Sequence, residues 1–227
     1  MQIRTSIVLV ALTICFVTST TAQHGKVEIK NGLAVGGGVT LFDIQTDNFN
    51  TESKLGWMVA ASATADLPHK WYNISYSIQI AENKMAIEGS QFAGDAASSK
   101  QIDFKIFTAQ VGLLWHIKLA GPLLTLDLGP QLQYNGKLEL QSDNSDNIYV
   151  HLTDGPSLLA EDIEDISQFN INGAAGLTLA FGAIKVRGQY MYGFLNTFNK
   201  LNDQNLENEE ELKGNMSMFA FTAVFTF

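Results

Sequence analysis

Charge is scarce in this sequence, and what there is leans one way. Only 16% of the residues are charged, against about 25% in an ordinary soluble domain. The 23 acids outnumber the 14 Lys and Arg, for a formal net charge of −9. So few basic residues exclude nucleic acid as a partner, which requires a basic footprint. Beyond the N-terminal segment there is also no run of about 18 apolar residues, so no transmembrane helix is written in the chain. Disorder is excluded by the 46% of hydrophobic residues available for burial. A length of 227 residues suits one domain, or at most two small ones.

Cysteine occurs once, at Cys15. It lies in a segment that has the order of a secretory signal peptide. Met1 to Arg4 carries positive charge, Ile7 to Val17 is mostly apolar, and small residues follow, with Thr20 and Ala22 at the −3 and −1 positions. The apolar stretch is shorter than the roughly 17–25 residues of a membrane anchor. Ile14 is too large to precede a lipidated cysteine. The expected organisation is therefore a signal peptide over 1–22 and one domain over 23–227. Cleavage after Ala22 removes Arg4 and the cysteine, leaving 205 residues with a net charge of −10. Such a chain has no disulfide, no thiolate metal site and no cysteine nucleophile.

What the mature chain does have is alternation. Tyr72, Ile74, Tyr76, Ile78 and Ile80 alternate with Asn73, Ser75, Ser77 and Gln79, so one face of a strand is apolar and the other wholly polar. Phe219, Phe221, Phe225 and Phe227 share one face of the last segment. Even the uncharged stretch from Ile166 to Ile184 has period two, with Phe169, Ile171, Leu177, Leu179 and Phe181 opposite Asn170, Asn172, Thr178 and Ala180. Eight strands are predicted: Leu33–Ile44, Lys54–Asp66, Trp71–Ile80, Ile102–Leu119, Leu123–Gly136, Gln168–Phe181, Ile184–Asn196 and Asn215–Phe227. Pro130 falls inside the fifth, where a bulge or an early strand end is expected.

The connections alternate in length. Leu67–Lys70, Ala120–Pro122 and Gly182–Ala183 are short, whereas Gln45–Ser53, Ala81–Gln101, Lys137–Ser167 and Thr197–Gly214 are long and polar. Short turns at one end and long loops at the other describe an all-β, eight-stranded antiparallel up-and-down transmembrane β-barrel. A soluble, lipocalin-like ligand-binding barrel alternates in the same way. Its outer face would be rich in Lys and Glu, and the polar face of Tyr72–Ile80 carries neither. Gly36, Gly38, Thr40, Ala174, Gly176 and Thr178 suit a narrow lumen instead, and Tyr72, Trp115, Phe181, Phe194 and Phe219 suit interfacial girdles.

The run Leu126-Asp-Leu-Gly-Pro-Gln131 resembles the Gly-Pro strand of the PorT-like outer-membrane β-barrel family. Phe169-Asn-Ile-Asn-Gly-Ala-Ala-Gly176, followed by Val186-Arg-Gly-Gln-Tyr-Met-Tyr-Gly193 and Asn196, resembles the closing pattern of that family. The resemblance implies an outer-membrane barrel delivered by Sec-type export. Its motifs are strand-packing signatures, so the namesake's part in protein secretion is not carried over with them.

Candidate chemistry is sparse, and no catalytic residue, cofactor or metal ligand is assigned. The mature histidines His24, His69, His116 and His151 form no HxxxH or HExxH pair. His151 lies three residues before Asp154, a candidate loop-borne fragment for an outer-membrane enzyme set against an ordinary solvated loop. Ser157 adds little to it, because a lone serine near a histidine is common. Asp127, Lys185 and Arg187 share the lumen parity, and an internal salt-bridge network is expected of them in preference to a substrate or proton site. The glycine run Val35–Val39 lacks the Lys-Ser/Thr of a phosphate loop.

Eighteen of the 23 acids fall in the four long connections, including Asp143–Asn147, Glu161–Asp165 and Glu207–Glu211. These form a solvated acidic rim, with divalent-cation bridging to lipopolysaccharide as a further hypothesis. The expected role is structural, surface-binding or export-supporting rather than catalytic. Outer-membrane lipid and lipopolysaccharide are the expected partners, with other envelope proteins as further candidates.

Overall fold

The computed structural model describes residues 30–92, 99–141, 148–153, 155–204 and 211–227. They form β1 (Lys30–Gln45), β2 (Thr51–Asp66), β3 (Tyr72–Ser90), β4 (Lys100–Ala120), β5 (Leu124–Leu140), β6 (Tyr149–Val150), β7 (Leu158–Leu159), β8 (Phe169–Phe181), β9 (Ile184–Gly193), the one-turn helix α1 (Asn199–Asn202) and β10 (Asn215–Thr226). Each of the eight long strands pairs antiparallel with two others, in the order β2-β1-β10-β9-β8-β5-β4-β3, and a β2–β3 ladder joins the ends. The ring of hydrogen bonds is thus closed and up-and-down. Among the described residues there are ten strands where eight were expected. The extra two, β6 and β7, are two residues each and attach to the end of β3 through Gly89 and Ser90.

Period two sets which face each residue takes, and here the apolar face points outward. On β3, Tyr76 and Ile78 are 70% and 57% exposed, while Ser75, Ser77 and Gln79 on the alternate parity are 1%, 4% and 3% exposed. The same inversion runs around the ring, from Leu33, Val35, Val39 and Leu41 on β1 to Phe219, Phe221 and Phe225 on β10. Toward the long-loop end the outward residues change abruptly to charge. Ile80 is followed outward by Glu82 and Lys84 on β3, and Phe107 gives way to Lys105 and Asp103 on β4. Lys105 meets Glu139 of β5 at 3.1 Å there.

Beyond that boundary the strands continue, which corrects the expected loop over Ala81–Gln101. Here the polarity of the two faces is reversed. Met85 and Ile87 of β3 face Phe104 and Ile102 of β4 in register, and all four are buried inward. Segments from the other long connections pack onto this hairpin, bringing Phe49, Val150, Ile163, Ile166, Phe198 and Leu201 into one apolar cluster. Backbone bonds from Leu138 N to Glu164 O (2.9 Å) and from Thr197 N to Gly214 O (2.7 Å) tie the segments together. The Asn196 side chain clasps two segments of this packing, accepting from Phe198 N and Gly214 N and donating to Leu212 O. Helix α1 has no side-chain N-cap. A helix this short is held by burial of Leu201, since four residues cannot nucleate on propensity alone. The last long connection, expected over Thr197–Gly214, also starts earlier, because β9 ends at Gly193 rather than Asn196.

Two local features decide how tightly the ring closes. Pro130 lies within β5 without a bulge. Its register with β8 is continuous through Gly129↔Ala174, Pro130↔Gly173 and Gln131↔Asn172. On the other side the β4 ladder skips from Gly112↔Gln131 to Trp115↔Leu128 with unchanged register. The missing donor of Pro130 therefore costs rungs on one side only, and no bulge is needed. At the β1–β10 seam, a Cβ on Gly38 would run into the carbonyl oxygen of Phe221 and stand 2.7 Å from Thr222 Cα. Gly38→Ala is expected to destabilise the barrel by about 1–3 kcal/mol through this overlap. A denaturant-unfolding midpoint equal to that of the parent would show that the seam relaxes freely.

Candidate functional site

The inward-facing side chains stack in three levels along the barrel axis. At the short-turn end is an ionic cluster centred on Asp127. In the middle lies a belt of amides and hydroxyls. Above it, toward the long loops, is a dry plug of methionine and aromatic residues.

Asp127 is fully buried, and every oxygen position on it is used. Its Oδ1 accepts from His116 Nδ1 at 2.7 Å and from Thr125 Oγ1 at 2.7 Å. Its Oδ2 accepts from Thr178 Oγ1 at 2.5 Å and lies 3.1 Å from Arg187 Nε. Arg187 Nε also donates to Thr178 Oγ1 at 3.0 Å. Strand register explains the assembly, since His116 is the direct β4 partner of Asp127, and Thr178 is opposite both Thr125 and Arg187. A buried carboxylate with opposite charge and four donors offsets its desolvation in the way an isolated one cannot.

The expected trio of Asp127, Lys185 and Arg187 is therefore corrected in one member. His116 occupies the place expected of Lys185. Lys185 pairs in register with Ala180 and Val224, one inward position closer to the turn than Arg187. It makes no ion pair among the described residues and instead lines a cavity of about 580 Å³ that opens at the short-turn end.

His116 carries the network one step further. With Nδ1 donating to the carboxylate, Nε2 accepts from Ser75 Oγ at 2.7 Å. Ser75, His116 and Asp127 thus stand in the atom order of a serine-hydrolase relay. Two features make it a lock rather than a nucleophile. Ser75 is 1% exposed and does not line the cavity. The strands around it spend their backbone N–H groups on the ladders, which leaves no pair of donors for an oxyanion.

In the middle belt, Gln110 and Asn172 both donate to Gln133 Oε1, at 2.6 and 2.5 Å, and Gln79 reaches across the lumen to Gln189 at 3.3 Å. Gln131 is buried beside Gly112, whose missing Cβ leaves it room. The plug above contains Met58, Met85, Met191, Met216 and Met218, every methionine after Met1, and all are buried. Thioether chains fill irregular space well. The gap among Phe42, Gln133, Met191, Met216 and Met218 is only about 10 Å³, at the limit for a single water.

The loop candidates are placed as follows. Asp154 lies outside the described residues, as do all of Asp143–Asn147 and Glu207–Glu210 of Glu207–Glu211. His151 Nδ1 is 2.9 Å from Ser157 Oγ, and its backbone N–H donates to Glu88 O. Glu88 is committed elsewhere. Its carboxylate accepts from Ser99 Oγ at 2.5 Å and Asn50 Nδ2 at 2.7 Å, and these hydrogen bonds hold it below the usual carboxylate range. Within Glu161–Asp165, Asp165 pairs with Lys200 at 2.6 Å. Among the described residues, no group of three or more His, Asp or Glu is arranged to hold a metal ion.

The residue missed in the sequence is His116 as partner of Asp127. The turn over Ala120–Pro122 carried the signal, because two residues almost equidistant from a tight turn must face each other across its hairpin.

No protein-family model matches the chain, nor does the sequence of any curated protein. Among solved structures, the chain is similar to Neisserial surface protein A, with 12% identity over 87% of this chain and 97% of that one, at a TM-score of 0.43. It is similar also to Ail, the attachment invasion locus protein of Yersinia pestis, solved in complex with the heparin analogue sucrose octasulfate. Identity there is 13% over 87% of this chain and 99% of that one, at a TM-score of 0.46.

Proposed function

We propose that this chain is an eight-stranded outer-membrane β-barrel of Gram-negative type, secreted with a signal peptide over 1–22, which presents a packed headpiece at the cell surface. One observation carries the reading: the exposed face of the closed ring is apolar and the enclosed face is polar. In water, that arrangement leaves a continuous apolar belt exposed, far beyond the few hundred Å² of patch a soluble monomer tolerates. In a bilayer it is the required one, because the closed ladders pair the backbone of the ring apart from the rungs lost beside Pro130, and the belt faces lipid. The belt on β3 runs from Tyr72 to Ile80, nine residues, within the roughly 9–11 of a tilted membrane strand. The charged outward positions at Glu82, Lys84, Lys105 and Glu139 then mark the headgroup level on the long-loop side.

The role is non-catalytic and lies at the headpiece. Strands that served only to cross the membrane would stop at the charged boundary, whereas β3 and β4 extend well past it to carry an apolar cluster of their own. That platform lies where the long acidic connections leave the ring, consistent with surface binding and with contact to lipopolysaccharide or to other envelope proteins. The filled lumen disfavours a diffusion pore. The PorT-like resemblance agrees with the architecture and leaves export support as the second role.

Electrophoretic mobility tests the membrane reading. The detergent-extracted protein is expected to run at different positions in SDS gels with and without boiling, as a folded membrane barrel resists SDS until heated. Identical mobility, together with recovery in the soluble periplasmic fraction, would overturn it in favour of a lipocalin-like barrel.

A further inference from the structure

We propose that the cavity at the short-turn end of the lumen is a binding site for a small water-soluble oxyanion, a phosphate or carboxylate group, held between Lys185 and the terminal guanidinium nitrogens of Arg187. The cavity, of about 580 Å³, is in the size range of small-molecule sites. Inward-facing residues of all eight long strands line it, among them Ala34, Thr64, Thr125, Thr178 and Thr226. It is therefore centred on the barrel axis and opens between the turns, not sideways through the wall.

The charges around it are nearly, but not fully, matched. Lys118 is 3.5 Å from Asp66 and donates to Leu67 O at 3.0 Å. Arg187 spends Nε on Asp127 and Thr178. That leaves Lys185 and the two terminal nitrogens of Arg187 without a partner among the described residues, both lining the same cavity. Two cations side by side in a half-enclosed, low-dielectric space repel each other and are poorly hydrated, and an oxyanion bridging them relieves both costs. The guanidinium fork matches the spacing of phosphate and carboxylate oxygens, and the ammonium adds a point charge. The axial opening favours a solute of the periplasmic space over a bilayer lipid, whose headgroup would have to leave the membrane plane to enter.

The test is a titration of the full-length mature protein, folded in zwitterionic detergent, with inorganic phosphate, followed by amide NMR shifts. Saturable shifts confined to residues 182–187 and 224–226 are expected, with sodium chloride at matched ionic strength producing none. Lys185→Met is expected to lose saturation while keeping the heat-modifiable gel mobility, and Lys185→Arg is expected to bind within about threefold of the parent. Shifts that stay linear in phosphate, that chloride reproduces, or that persist unchanged in Lys185→Met would overturn the site. A parallel arm dopes the micelles with phosphatidic acid. Response there without response to inorganic phosphate would overturn the soluble ligand and assign the site to a lipid headgroup.

Discussion

Asp127→Leu is expected to lower the unfolding free energy of the barrel by about 3–5 kcal/mol, the range seen when one partner of a buried ion pair is removed. The size follows from what the substitution strands. Arg187 loses its counter-charge, and His116 Nδ1 and the hydroxyls of Thr125 and Thr178 all lose their acceptor. His116 and Thr178 are buried and Thr125 and Arg187 half-buried, so each stranded donor adds to the cost. Asp127→Asn is expected to lie between, since one acceptor oxygen survives. Arg187→Leu also weakens the barrel, but by less, because Asp127 keeps three of its four donors. The Asp127→Leu, Arg187→Leu double variant is then expected to recover part of the loss, since no uncompensated Arg remains. Denaturant titration of the unboiled gel species measures all four proteins. A midpoint for Asp127→Leu within error of the parent would show that the cluster is solvated rather than buried.

Ile78→Arg separates a barrel in lipid from one in water. Ile78 is 57% exposed in the apolar belt, one outward position from its middle at Tyr76. If that belt faces hydrocarbon, Arg costs about 2–4 kcal/mol there and only about 0–1 near an interface. Leu33→Arg, at the turn-end margin of β1, supplies the interfacial comparison. In a water-soluble barrel both are surface substitutions away from any buried partner, each expected within about 0.5 kcal/mol of the parent. Reversible unfolding from lipid vesicles reads the difference. Equal stabilities of the two variants would count against the bilayer, whatever the gel mobility shows.

Much of the eight-stranded ring was legible because period two persists wherever one face of a strand turns outward and the other faces a packed lumen. Tyr72 to Ile80 is the plainest case, and from Ser75 to Ile80 its parity assignment matches the structure residue by residue. The same rule hid the upper half of the hairpin. At Glu82 the apolar parity moves from the outside of the ring to the inside, so Met85 and Ile87 continue the strand with the opposite sense. Read for one sense only, the alternation stops at Ile80 and the rest resembles a polar loop. The headpiece was hidden for a different reason. Phe49, Val150, Ile163, Phe198 and Leu201 converge from three connections, and residues buried by tertiary convergence carry no period. The ionic cluster lay in between. Asp127 and Arg187 declared themselves by parity, but the choice of His116 over Lys185 depended on register, which places Lys185 one inward position too near the turn.

The closure of the ring also has a kinetic meaning. Seven of the eight seams join strands that are neighbours in the sequence or are separated by a single loop excursion, but the β1–β10 seam pairs Ala34 with Thr226 and Gln45 with Asn215. Every other ladder can zip locally from a turn, while this one waits until the two extremities of the chain meet, and such long-range pairing is the slow part of β folding. Until it forms, β1 and β10 each present a bare edge able to recruit a stranger. The final strand is thus the latch of the assembly, and a chain cut short before Asn215 is left with two open edges and no means of hiding them.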